Sequence, residues 1–123
     1  MFDKILHITL LYDFYGQLLT PKQQEIVQQY YHHDFSLGEI SEQLNISRQA
    51  VYDTIKRTEK ILLDYEDKLG LIQKFNKNRN DIEKIISIID STTNKEYNAL
   101  LDSKELLKAL SDIKEIAENI IER

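Results

Sequence analysis

Apolar residues recur at intervals of three and four along most of the chain, the spacing that places them on one side of an α-helix. Ile5, Ile8, Leu11, Tyr12 and Tyr15 follow it between Phe2 and Leu19, and Gly16 or the residues just after it should end that helix. Thr20-Pro21 predicts the next start, because Thr caps orphan amides and Pro at the first helical position gives up an amide that would go unpaired. That helix should run from about Pro21 to about Tyr31. Its buried face would carry Ile26, Val27 and Tyr30, with Gln23, Gln24, Gln28 and Gln29 largely in water.

The third and fourth elements carry the sharpest punctuation. Ser36 with Glu39 three residues on is a capping box, opening a short helix through Ile40 and Leu44. Asn45-Ile46 breaks it, and Ser47 caps a long helix that keeps Val51, Ile55, Thr58 and Leu62 on one stripe and ends near Leu69, beside Gly70. Two amphipathic helices around so short a turn predict a helix-turn-helix over Ser36 to Arg57. Ile40, Leu44, Ile46, Val51 and Ile55 form its inner face, while small Ser41 and Ala50 let the helices cross closely.

Past Gly70 a polar stretch, Gln73 to Asp81, leads into a helical stripe of Ile82, Ile85, Ile86 and Ile89. Ser91-Thr92-Thr93-Asn94 predicts a loop or cap. The last segment sets Leu106, Leu110, Ile113, Ala117 and Ile120 in a heptad seam, widened by Leu107, Ile116 and Ile121. The expectation is an all-α protein with a helix-turn-helix domain over residues 1–70. Residues 71–123 would form a helical extension that makes a homodimer.

Composition agrees and narrows the function. With 3 Gly and 1 Pro in 123 residues, the turns of an all-β fold are hard to build, and no internal repeat is evident. The absence of Cys excludes disulfides, thiolate metal sites and thiol nucleophiles. Met1-Phe2-Asp3-Lys4 lacks the basic, then apolar, sequence of a signal peptide, and no run reaches the roughly eighteen apolar residues of a membrane span. A cytoplasmic location follows as an expectation, in which Asn45-Ile46-Ser47 reads as a turn and not as a glycosylation site.

Carboxylates are scattered beside Lys, as on solvated helices, and no Gly-rich phosphate loop occurs, so neither catalysis nor a cofactor is expected. His32-His33-Asp34 lacks a third ligand at suitable spacing, and adjacent helical residues point about 100° apart. Tyr12, Phe14, Tyr15, Tyr30, Tyr31 and Phe35 could stack bases, but their spacing fits packing between the first two helices better.

The net charge of −5 opposes general attraction to nucleic acid, so any such site must be a local basic patch. The candidate is the start of the second helix of the motif: Ser47, Arg48, Gln49, Tyr52, Lys56, Arg57 and Lys60. Arg grips guanine, Gln pairs with adenine, and amides at a helix start meet phosphate. Between Arg48 and Lys60 the four cations face two anions, Asp53 and Glu59, a modest excess for DNA.

One resemblance is specific. Leu11-Tyr-Asp-Phe-Tyr15, Leu19-Thr-Pro-Lys-Gln-Gln, Tyr30-Tyr31, Phe35-Ser-Leu-Gly-Glu-Ile40-Ser, Ser47-Arg-Gln-Ala-Val-Tyr-Asp and Ile55-Lys-Arg-Thr58 together resemble the YlxM family, over roughly the first seventy residues. These are small bacterial proteins similar to the DNA-binding fourth region of sigma factors and linked to the signal recognition particle (SRP). The resemblance implies a regulatory or accessory role toward that particle, an RNA with a signal-sequence-binding GTPase. Tyr52 beside Asp53 departs from the more basic character of sigma factors at these positions. That leaves DNA, SRP RNA, through stacking of Tyr52 on an unpaired base, and a surface of the GTPase as targets.

Overall fold

In a computed structural model, residues 2–93 and 103–123 are described, and among them every regular element is a helix. Six α-helices follow one another: α1 (Phe2–Tyr15), α2 (Pro21–Val27), α3 (Leu37–Leu44), α4 (Arg48–Leu69), α5 (Leu71–Thr93) and α6 (Ser103–Glu122). A 3₁₀ turn, Gly16–Leu18, follows α1, and α2 runs on into a single π turn, Gln28–His32. The chain divides into two compact units at Ile72.

Within the first unit, local chemistry sets the helix ends. Thr20 accepts from the Gln23 amide at 3.2 Å while Gln23 Oε1 accepts from the Thr20 amide at 3.1 Å. Ser36 and Glu39 make the same reciprocal pair, and Ser47 Oγ accepts from the Ala50 amide at 3.0 Å. Asn45 ends α3 in the left-handed region with φ 57°, and Ile46 N–H then closes on the Ser41 carbonyl at 3.1 Å. Asn pays less for this conformation than most side chains do. Gly70 ends α4 with φ 61°.

Two clusters make the core of this unit. Ile8, Leu11, Tyr15, Leu19, Leu62 and Ile72 join α1 to the second half of α4 and the first residues of α5. Ile26, Ile40, Val51 and Ile55 join α2, α3 and the first half of α4. The aromatic set divides between them, Phe14 and Tyr12 against the first, Tyr30 and Phe35 against the second, and Tyr31 against both. Each buried Leu or Ile contributes on the order of 1.5–3 kcal/mol of apolar transfer, so these clusters dominate the unit's stability.

Three expectations need correction. Gln23, Gln24 and Gln29 are half-buried, not largely in water, and of the four only Gln28 is exposed: Gln24 Nε2 donates to the Gly16 carbonyl at 2.9 Å and to that of Leu19 at 3.3 Å. The polar stretch Gln73 to Asp81 is not a connector but lies inside α5, which is continuous from Leu71. Ser91, Thr92 and Thr93 are helical and not a loop, their hydroxyls donating to the carbonyls of Ile88, Ile88 and Ile89; Asn94 lies outside the described residues.

In the second unit, which begins at Gln73, Asp81 is buried and its carboxylate pairs with the Arg123 guanidinium, which also donates to Asn78 Oδ1 at 3.0 Å. The end of α6 is thereby fastened to α5. Their apolar stripes stay open: Phe75, Ile82, Ile86, Ile89, Leu106, Leu107, Leu110 and Ile121 are all exposed, while Ile113, Ala117 and Ile120 are half-buried.

Candidate nucleic-acid interface

The two helices of the motif meet as the spacing requires. Ile40 and Val51 are fully buried between them, Ser41 packs at the crossing with its hydroxyl turned to the Gly38 carbonyl at 2.8 Å, and Leu44, Ile46 and Ala50 are half-buried. With one stripe of α4 committed inward at Val51, Ile55, Thr58 and Leu62, the opposite side must face water. Ser47, Arg48, Gln49, Tyr52, Lys56, Arg57 and Lys60 are all exposed.

These residues do not act alike. Ser47 is spent as the cap, leaving the first amides of α4 pointing outward with the positive end of the helix dipole. Arg48 lies across the start of α3: a Cβ at Gly38 would stand 3.1 Å from its guanidinium, so this glycine is where the arginine finds room. Gln49 donates to Asp53 Oδ1 at 2.9 Å, which ties its amide to the helix and partly occupies the group expected to read adenine. Lys56 sits 5.5 Å from the centre of the Tyr52 ring, a cation–π contact, and 3.6 Å from the Glu59 carboxylate.

The residue that sequence reasoning missed is Glu59. In the sequence it figures only as one of two anions between Arg48 and Lys60, yet it is buried, 7% exposed. Tyr31 donates its phenol to Glu59 Oε1, and Lys4 from α1 joins Lys56 at the other oxygen, at 3.5 Å. Burial, together with the hydrogen bond to this carboxylate, holds the Tyr31 phenol well above its ordinary pKa. One turn pair farther along α4 the arrangement repeats: Tyr15 donates to Glu66, whose carboxylate also accepts from the Ile72 amide at 3.0 Å, and the Tyr15 oxygen accepts from the Leu71 amide at 3.1 Å. Desolvation by burial, then Glu66, raises the Tyr15 pKa. A signal for Glu59 did exist, since it stands four residues after Ile55 and three before Leu62, on the apolar stripe itself.

No helix among the described residues is long and apolar enough to cross a membrane. A short helix and a long one crossed over a left-handed turn, the second with its capped front end and outer side exposed, define a helix-turn-helix protein. Residues 2–106 match the model of the UPF0122 family, described as "Putative helix-turn-helix protein, YlxM / p13 like". The chain belongs to this family. It is 48% identical to a UPF0122 protein of Halalkalibacterium halodurans over 109 residues, which are 88% of this chain and all of that one. A UPF0122 protein of Thermoanaerobacter is 49% identical over 92% of each chain, and one of Caldanaerobacter subterraneus 60% identical over 69% of this chain and 73% of its own.

Proposed function

We propose that this protein binds nucleic acid through the outer face of α4 and serves, without catalysis, as a regulatory or accessory factor of the signal recognition particle in the cytoplasm. The observation that carries the reading is the exposed row Arg48, Gln49, Tyr52, Lys56, Arg57 and Lys60 on a helix whose N-terminal amides are presented by the Ser47 cap. Cations there offset the chain's net charge of −5 locally, and the free amides favour a phosphate. The YlxM resemblance supplies the link to the particle, and likeness to the fourth region of sigma factors supplies the use of α4. The apolar stripes of α5 and α6 support a homodimer that would present two such faces.

The test is a titration of SRP RNA and of duplex DNA with the full chain and with an Arg48→Ala, Arg57→Ala variant, at two salt concentrations. Loss of roughly 10-fold or more in affinity, with a salt slope lower by about one per lost phosphate contact, is the expected result. Unchanged binding by the variant would remove α4 from the interface.

A second reading has its own observation: the Gln49–Asp53 bond and the acidic balance suit a protein surface better than a groove. In it the same scaffold contacts the SRP GTPase directly. Capture of purified GTPase in the absence of RNA would favour that adaptor role, and capture that vanishes with the RNA would count against it.

A further inference from the structure

A cleft of about 430 Å³ opens in the first unit beside the start of α4, within the range of small-ligand sites. Tyr30, Phe35 and Tyr52 are among its walls, and Glu59, Asp34, Lys4 and Lys56 line it as well. Tyr30 and its neighbour Tyr31 are carried by the π turn Gln28–His32, a local widening of a helix that often accompanies functional sites. Tyr52 and Lys56 belong both to this cleft and to the outward row of α4, so the cleft continues the face proposed for nucleic acid.

Its chemistry selects among occupants. Aromatic walls accept the faces of a planar ring. Glu59 is a buried acceptor: Oε1 takes the Tyr31 phenol, and Lys4 and Lys56 are ion-paired with Oε2 at 3.5 and 3.6 Å, longer than an ordinary hydrogen bond; since a carboxylate oxygen accepts two donors, each oxygen can take one more. Of the four RNA bases, guanine alone sets two donors side by side on its Watson–Crick edge, N1–H and the N2 amino group, next to the O6 acceptor. The donors match a carboxylate and O6 matches a lysine ammonium. Adenine and cytosine would turn a ring-nitrogen lone pair toward the carboxylate, and uracil flanks its one donor with two carbonyls.

We propose that this cleft receives an unpaired guanine of an RNA bound along α4, stacked among Tyr30, Phe35 and Tyr52 and held at its Watson–Crick edge by Glu59. The proposal rests on the nucleic-acid reading above and narrows it to RNA with an exposed base, since in a duplex that edge is already paired.

Hairpins sharing one stem, with guanine, adenine, cytosine or uracil at a single loop position, and the blunt stem duplex would be titrated with the full chain. The guanine loop should bind roughly 10-fold or more tightly than the others, and Glu59→Gln and Tyr52→Ala should erase that preference. Because Glu59→Gln also weakens the buried pairing with Tyr31, Lys4 and Lys56, NMR of the unaltered chain with guanosine monophosphate provides a second reading: the ring signals of Tyr30, Phe35 and Tyr52 should move, and should not with uridine monophosphate. If all loops bind equally and the Arg48→Ala, Arg57→Ala variant weakens them all, the α4 face stands and the guanine cleft falls. If neither hairpin nor duplex binds, both fall.

Discussion

The two units are built from the same periodicity and end in opposite states. In the first, the stripes of α1 to α4 close on one another until Leu11, Tyr15, Ile26, Ile40, Val51 and Leu62 are wholly buried. In the second, a seam just as regular leaves Leu106 and Leu110 exposed, and the residues that widen it more so, Leu107 65% and Ile121 83%. Hydrophobic spacing therefore predicts that a face exists, not that the chain itself covers it. What differs is the number of facing elements. Four helices surround the first core, whereas among the described residues the second unit contributes α5 from Gln73 and α6, and two helices cannot enclose two broad stripes.

Substitutions should separate the regions sharply. Leu62→Ala is expected to cost about 2–5 kcal/mol in chemical denaturation, because the void lies where helices α1 and α4 already interlock. A loss under about 1 kcal/mol would mean that the first core is loosely packed. Next in size, Tyr31→Phe removes the donor to buried Glu59 and should cost about 1–3 kcal/mol.

The same variant has a pH signature. The folded chain holds the Tyr31 proton more tightly than the unfolded chain does, so this contribution is whole below about pH 10 and drains away as pH rises beyond it. Stability of the parent should thus decline above about pH 10, and Tyr31→Phe should decline less steeply. Equal slopes would show that the phenol is not perturbed.

Ser47→Ala, which strips the cap from α4, should cost about 1 kcal/mol. The smallest effect belongs to the second unit: Leu107→Lys with Ile121→Lys should change stability of the isolated chain by no more than about 0.5 kcal/mol per site. If the proposed homodimer uses these stripes, light scattering at micromolar concentration should nevertheless report a fall from dimer to monomer. An unchanged mass would sever the dimer from this seam.

Much of the first unit was legible because its boundaries are written in single residues. Thr20-Pro21, Ser36 with Glu39, and Ser47 each announce a helix start through a side chain that reaches its own backbone, and Asn45 and Gly70 stand where the left-handed region is needed. The π turn was not legible, because one extra residue in a helix shifts the apolar pattern too little to register over five positions. Residues 73–81 misled for another reason: exposed on nearly all sides, that part of α5 has no apolar stripe to advertise it. Ser91 to Thr93 misled because hydroxyls that cap helices can equally fold back on the preceding turn. The site was visible only on its outer side. The cleft joins residues from α1, the π turn and α4, and no local pattern records a meeting of segments more than twenty residues apart.

The paired phenols and carboxylates on α4 have a mechanical consequence. Glu59 and Glu66 are two turns apart and each is pinned by a tyrosine from a different neighbour, Tyr31 after α2 and Tyr15 at the end of α1. A helix riveted at two such points cannot roll about its long axis without breaking both bonds. The azimuth at which Arg48, Tyr52 and Lys56 leave the surface is then inherited from anchors deep in the fold, and a ligand meets a surface already aimed.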